Sequence, residues 1–325
     1  MLVLQNFNKM KKIILFIFLS CSITVAKERD SIAINKSFKN YFKYLDDCDA
    51  CGCSASGGSM GFSSMINPNF VGVRYFKQSY KSTDGLYSNS PSYNENFNTI
   101  QLWGRIPVTN KIQASVLVPY HFHNRESNNG NQSISGIGDI TALGFYSIVK
   151  TKNDSLNYKH HVMLGGGVKM PTGKFDESNN GSVNPSYQLG TGSWDYILAT
   201  EYIIRKNKMG LNTMLNYTIK TENEKNYRFG NQFNYGSTLF YVLDNQKLSF
   251  VPQLGIAGEV YENNYQHNQK IRNTAGDILF GKLGIEIGKE KFSFGANTML
   301  PVNQNLTGGN VKANYRWSIN LNYSL

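Results

Sequence analysis

The stretch "NVKANYRWSINLNYSL", residues 310–325, alternates without interruption. Val311, Ala313, Tyr315, Trp317, Ile319, Leu321, Tyr323 and Leu325 fall on one side; Lys312, Asn314, Arg316, Ser318, Asn320, Asn322 and Ser324 fall on the other. A period of two marks a β-strand, whose successive side chains point to opposite faces. A strand of a soluble protein usually runs about 5–6 residues, so this one is long. Its length, with one apolar and one polar face, fits a barrel wall that meets lipid outside and water inside.

Eleven earlier segments repeat the pattern, beginning with "FVGVRYFKQSY" at Phe70 and "NTIQLWGRIPV" at Asn98. "KIQASVLVPYHF" at Lys111 sets Ile112, Ala114, Val116, Val118, Tyr120 and Phe122 against Gln113, Ser115 and His121. Connectors alternate in length. Short ones such as "TN" at Thr109, "DNQ" at Asp244 and "KEK" at Lys289 take turns with long ones rich in Asn, Ser and Gly. Among the long ones are "NRESNNGNQSIS", "PTGKFDESNNGSVNPSYQLGTG", "KTENEKNY" and "PVNQNLTGGN". Tight periplasmic turns and large outer loops are the habit of outer-membrane barrels, and an even strand number returns both termini to the periplasmic side.

Composition agrees. Aromatic residues make up 13% of the chain, with 20 Tyr, 19 Phe and 30 Gly. Beyond the first residues no apolar run approaches the ~20 needed for a membrane helix. The expected fold class is all-β: a transmembrane antiparallel β-barrel of about 12 strands over residues 69–325, preceded by a short periplasmic or plug segment over residues 27–68. A soluble β-sandwich is the rival, but it does not explain the alternating connectors.

Residues 1–26 read as a secretory signal peptide. Lys11 and Lys12 precede the apolar run from Ile13, and the small residues Thr24 and Ala26 flank a cleavage point. Met10 is an alternative start, and acylation of Cys21 is the competing reading, although "FLSC" is a poor lipobox. Export to the cell outer membrane follows from this leader. The formal net charge is +11, and removing Lys9, Lys11 and Lys12 with the leader lowers it to +8. Without a basic run or basic–aromatic cluster, that charge points to anionic lipid headgroups and not to nucleic acid. The expected partners are outer-membrane lipid and a small-molecule or ion cargo, and the expected state is a monomer.

"GIGDITALGFYSIV" at Gly136, "GGGVKMPTGKFD" at Gly165 and "LGTGSWDYILATEY" at Leu189 resemble the MetA-pathway phenol-degradation family of outer-membrane proteins. The motifs are a Gly-x-Gly-Asp opening one strand, a Pro-Thr-Gly closing the next and a Gly-Thr-Gly opening a third. The amino-terminal "CDACGCSASGGSMGF" followed by "NFVGVRY" is similar to a subgroup labelled "transporter". The resemblance implies a transmembrane barrel acting as a channel for small or hydrophobic molecules, and it brings no catalytic residues. On their own terms the glycines allow a bend where loop meets strand, at Gly136 and Gly138, and a thin or curved wall at Gly165–Gly167. "GIGD" is not a phosphate loop, because no βαβ unit surrounds it.

Cys48, Cys51 and Cys53 crowd into six residues ahead of the first strand. In an oxidising periplasm one disulfide is the plain reading, with Cys48 bonded to Cys51 or Cys53 rather than the strained Cys51–Cys53 pair. The sharper reading is a soft-metal site: Cys48, Cys51 and Cys53 with the thioethers of Met60 and Met65, a set suited to Cu(I) or, with a histidine, to Zn. No cofactor is otherwise required. His121 and His123 share one face of their strand and are candidates for a metal or a loop carboxylate.

Arg105, Asp139, Lys169, Asp195, Glu201, Glu259, Lys282, Glu286, Lys312 and Arg316 have inward parity and form the expected polar lining of the lumen. Buried charges persist only when paired or hydrated, so the lumen is either wet or laced with salt bridges. Enzymatic activity is not expected. A lipase-like Ser–His pair fails for Ser115 and His121, which lie six residues apart, about 20 Å along a strand. A channel or transporter is the leading functional reading. The alternatives are a metal-binding barrel and a structural or lipase-like one.

Overall fold

The computed structural model describes residues 64–66, 69–83, 92–127, 130–151, 158–175, 187–245 and 248–325. The leader, Cys48, Cys51, Cys53 and Met60 lie outside the described residues, as does nearly all of the 27–68 segment.

Twelve antiparallel strands form one closed cylinder. In chain order they are β1 (Phe70–Thr83), β2 (Ser92–Pro107), β3 (Ile112–Ser127), β4 (Gly130–Ile137 with Ile140–Lys150), β5 (Lys159–Met170) and β6 (Asp195–Lys206). There follow β7 (Met209–Lys220), β8 (Gln232–Tyr241), β9 (Leu248–Tyr261), β10 (Gly276–Lys289), β11 (Phe292–Leu306) and β12 (Val311–Ser324). Each strand pairs with its sequence neighbours, and β1 closes on β12 from Phe70↔Ser324 to Ser82↔Val311. Closure leaves no unpaired edge, which is what a β-sheet in hydrocarbon requires.

The outside is apolar on every strand. Val73 on β1, Leu102 on β2, Leu198 on β6, Leu254 on β9, Leu283 on β10 and Leu321 on β12 are all exposed. A continuous band of this kind on a soluble monomer would be an aggregation surface; on a barrel it is the lipid face.

The last strand does not keep one phase. Tyr315, Trp317, Ile319, Leu321 and Tyr323 face out, but Val311 and Ala313 are buried. The register slips between Ser79↔Tyr315 and Tyr80↔Ala313, so β12 carries an extra residue there. A bulge of one residue flips every side chain beyond it. Lys312, expected in the lumen, is therefore exposed on the outside near the loop end.

Two connectors expected to be long outer loops are strand instead. Ser127 pairs with Gly130, so most of "NRESNNGNQSIS" extends the β3–β4 hairpin. "PVNQNLTGGN" is mostly β11, closed by a 3₁₀ turn at Thr307–Gly309. Polar composition marks solvation, and a strand that projects past the bilayer is solvated too. The loops at 221–231 and 262–275 carry a small sheet of Tyr227–Arg228, Tyr265–Gln266 and Gln269–Lys270.

"GIGD" does not open a strand but interrupts one. The β3–β4 register runs Tyr120↔Ile137 on one side of Gly138–Asp139 and Leu117↔Thr141 on the other, one residue out of step. This second bulge turns Asp139 into the interior, where it is 2% exposed. An added Cβ on Gly138 would lie 2.2 Å from His121 Nε2, so the imidazole rests directly on the bare glycine.

Candidate functional site

The interior is the candidate site, and its chemistry is charge. Thirteen Asp, Glu, Lys and Arg side chains are buried among the described residues, seven cationic and six anionic. Near-balance of sign is what allows such a set inside, since each unpaired buried charge would cost several kcal/mol.

Asp139 sits at the centre of one cluster. Its carboxylate accepts Lys169 Nζ at 2.7 Å, Gly173 N at 3.0 Å, Thr191 N at 2.8 Å and Thr191 Oγ1 at 3.0 Å. Thr172 Oγ1 donates to Gly138 O at 2.6 Å and accepts from Ile140 N at 2.9 Å. The three glycine motifs, far apart in sequence, thus meet at one carboxylate. Asp139 fastens both ends of the 171–194 loop to the β4 bulge. From there the charges continue around the wall: Lys169 Nζ also lies 2.7 Å from Asp195 Oδ2, which receives Lys220 Nζ at 2.9 Å. Four adjacent strands, β4 to β7, are joined by this ladder.

Across the barrel Arg316 makes a fork with Glu259. Nη1 donates to Oε1 at 2.6 Å and Nη2 to Oε2 at 2.9 Å, while Nε reaches Tyr80 Oη at 3.1 Å. The guanidinium stacks 4.3 Å from the centroid of Phe280, and Tyr261 donates its hydroxyl proton to Glu259. Lys282 Nζ donates to Thr238 Oγ1 at 2.8 Å. Lower in the barrel Arg105 Nη2 lies 3.1 Å from Glu201 Oε2, and Asn212 Nδ2 donates to Glu201 Oε1 at 2.8 Å. Arg105 rests over Phe145 at 4.8 Å. The Phe145 ring needs Gly165 opposite it, where a Cβ would stand 2.5 Å from the ring. Gly165, the first of the triple glycine, therefore makes room for an aromatic shelf under an arginine.

At the turn end, a segment that belongs to no strand enters the cylinder. Ser64 Oγ donates to Glu286 Oε1 and Met65 N to Glu286 Oε2, both at 2.6 Å. Met65 and Ile66 are 2% exposed and pack with Ile203, Phe240, Val242 and Val251. The Met65 thioether is thus in an apolar cluster. Among the described residues no group of three or more His, Cys, Asp or Glu side chains is arranged to hold a metal.

At the loop end, Tyr187 reaches inward from the 171–194 loop and is fully buried. Its ring meets Phe97 at 5.9 Å and lies under the Arg125 guanidinium at 4.9 Å, and its hydroxyl donates to Gln132 O at 3.0 Å. Burial pushes that hydroxyl up to about 12, against the opposing pull of Arg125, so it remains a donor at any physiological pH.

Of the ten expected lining residues, nine are buried in the interior and Lys312 is not. Arg74, Glu95, Arg125, Lys220 and Tyr187 also line it, and sequence reading missed them. Glu95, Arg125, Lys220 and Tyr187 stood in presumed loops; extending the parity of His123 by two would have found Arg125. Arg74 shares its face with Phe70 and Phe76, so hydropathy contrast hides it. Ser115 Oγ donates to Gly104 O at 3.1 Å, and His121 Nδ1 lies 2.7 Å from Thr99 Oγ1.

The family described as "Putative MetA-pathway of phenol degradation" matches residues 97–317. The chain belongs to that family. The match runs from Phe97 in β2 to Trp317 in β12 and takes in the Asp139 hub whole. Among solved structures, an outer membrane channel from Pseudomonas putida F1 superposes with a TM-score of 0.58 at 13% identity, over 78% of this chain and 94% of that one. The beta domain of the Bordetella autotransporter Brka gives 0.45 at 9% identity, over 79% and 99%. The NanC porin gives 0.43 at 10%, over 78% and 100%. At these identities the first likeness establishes the barrel fold and the other two add nothing to it. No curated protein matches the chain significantly.

Proposed function

We propose that this phenol-degradation family member is an outer-membrane channel that conducts small solutes through a polar lumen and is held closed at both ends. The observation that carries the reading is the contrast between an apolar exterior on all twelve strands and thirteen buried Asp, Glu, Lys and Arg side chains inside, among the described residues. A barrel that served only as a scaffold would be cheaper to fill with apolar side chains, because buried ion pairs seldom repay their desolvation. A charged lining is favourable when water and solute reach it. Both obstructions, Ser64–Ile66 and Tyr187, come from segments outside the wall and can leave without breaking a strand.

The leader at residues 1–26 would direct export, and the first strand would begin just after a periplasmic amino-terminal segment. The turn end then faces the periplasm and the loop end the exterior. The family's description, which names phenol degradation, supports passage of small aromatic compounds, and the name of the Pseudomonas putida structure supports a channel. The full-length protein in a planar bilayer is expected to give discrete conductance steps. Insertion verified by gel mobility together with a silent bilayer would refute the channel.

A further inference from the structure

Among the described residues, buried polar atoms without a hydrogen-bond partner in the outer half of the lumen include Gln78 Nε2 and Ser82 Oγ on β1, and His121 Nε2 and His123 Nε2 on β3. All four residues are at most 1% exposed. Protein interiors rarely leave such groups unpaired, because each forfeits its hydrogen bond to water.

Their setting is aromatic. Phe97, the register partner of Gln78, is ringed edge-on by Tyr80 at 5.3 Å, His123 at 4.9 Å and Tyr187 at 5.9 Å. The tautomer of His123 follows from its other nitrogen. Nδ1 accepts the backbone N–H of Asn98 at 3.2 Å, so the neutral ring carries its proton on Nε2 and presents a donor. A protonated Nε2 is a poor metal ligand and a good partner for an acceptor oxygen. Tyr187 does not supply one: its hydroxyl is directed at Gln132 O, and His123 Nε2 stays without a partner beside it.

Tyr187 differs from the other rings here in belonging to a loop and not to the wall. It brings to this place a single six-membered ring, covered on one face by Arg125 at 4.9 Å. We infer that Tyr187 occupies a solute-recognition site as a resident substitute. The ligand of that site is a small aromatic ring bearing a carboxylate or carbonyl oxygen. Such a ligand replaces the Tyr187 ring between Phe97 and Arg125, keeps the cation–π contact, and gives His123 Nε2–H and Gln78 Nε2 the acceptor that tyrosine withholds. This rests on the channel reading for its biological sense but not for its test.

The test uses the full chain purified in detergent, with benzoate as probe and toluene and cyclohexanecarboxylate as controls, read by calorimetry. Unheated gel mobility verifies the fold of each variant. Tyr187→Ala is expected to bind benzoate about tenfold more tightly than the parent, because no ring has to be expelled. Adding His123→Phe should cost about tenfold, and His123→Gln, which restores a donor, should recover most of it. Toluene lacks the acceptor and cyclohexanecarboxylate the π face, and both should bind more weakly than benzoate. Equal benzoate affinity in the parent and Tyr187→Ala, or toluene binding as tightly as benzoate, overturns the assignment. Benzoate binding in a protein that proves silent in bilayers would uphold the site and sink the channel; conduction without benzoate binding would do the reverse.

Discussion

Lys169 Nζ stands 2.7 Å from Asp139 Oδ2, and the same carboxylate holds the backbone N–H groups of Gly173 and Thr191. One side chain therefore neutralises a buried lysine and fastens both ends of the 171–194 loop. Asp139→Asn keeps the shape but removes the charge, leaving Lys169 with Asp195 alone. Breaking one member of a buried ionic set costs about 3–5 kcal/mol. The expected result is a lower unfolding temperature in detergent and faster proteolytic cutting between Pro171 and Trp194. Unchanged cutting would show that the loop is held by something other than this carboxylate.

The Arg316–Glu259 fork invites a different comparison. Arg316→Met strands a buried carboxylate and should destabilise the barrel by about 3–5 kcal/mol. The double variant Arg316→Met, Glu259→Gln leaves no charge stranded and should be the more stable of the two. Equilibrium unfolding in urea with the protein in micelles measures both. A double variant as unstable as the sum of the two singles would mean that the pair is not coupled.

Much of the barrel was legible because the period-two rule acts locally, and eleven turns of chain direction left few other ways to bury one face of each strand. What it concealed follows from two bulges. A single extra residue at Asn314–Tyr315 turned Lys312 outward, and another at Gly138–Asp139 made a strand interruption look like a strand start. Beyond the first bulge the apolar Val311 and Ala313 face inward yet keep the alternation of the sequence, so the hydropathy pattern carries no trace of the flip. The hub around Asp139 was hidden for another reason. Its partners, Gly173 and Thr191, offer backbone N–H groups, which every residue possesses. Tyr187 was hidden by its neighbours, since a lone aromatic in a stretch rich in Asn, Ser and Gly reads as loop.

Glu286 holds the segment at the turn end through Ser64 Oγ and the Met65 backbone N–H. Glu286→Ala removes both acceptors and weakens the hold on Met65 and Ile66, which also pack against Ile203, Phe240, Val242 and Val251. On the channel reading, the variant should show a larger or more frequent conductance in bilayers than the parent. Tyr187→Ala acts at the opposite end, and the two substitutions together should exceed either alone. If Glu286→Ala conducts no more than the parent, Ser64–Ile66 does not limit passage.

The cysteine cluster gives the last prediction. Cys48, Cys51 and Cys53 precede Ser64 by 16, 13 and 11 residues, so the chain that Glu286 pins inside the cylinder is continuous with three thiols. Thiolates bind Cu(I) and zinc and also oxidise to disulfides, and the two fates exclude each other at a given sulfur. If the segment captures metal, protein taken directly from membranes should carry about one copper or zinc per chain, and a triple Cys→Ser variant should carry none. The same variant separates a metal-sensing plug from a passive one: with metal as the controlling ligand, adding a chelator to the parent should reproduce the variant's conductance. A quantitative intramolecular disulfide, seen as a two-dalton deficit by intact-mass analysis of metal-free protein, would rule out the metal and leave the segment as an oxidised clip.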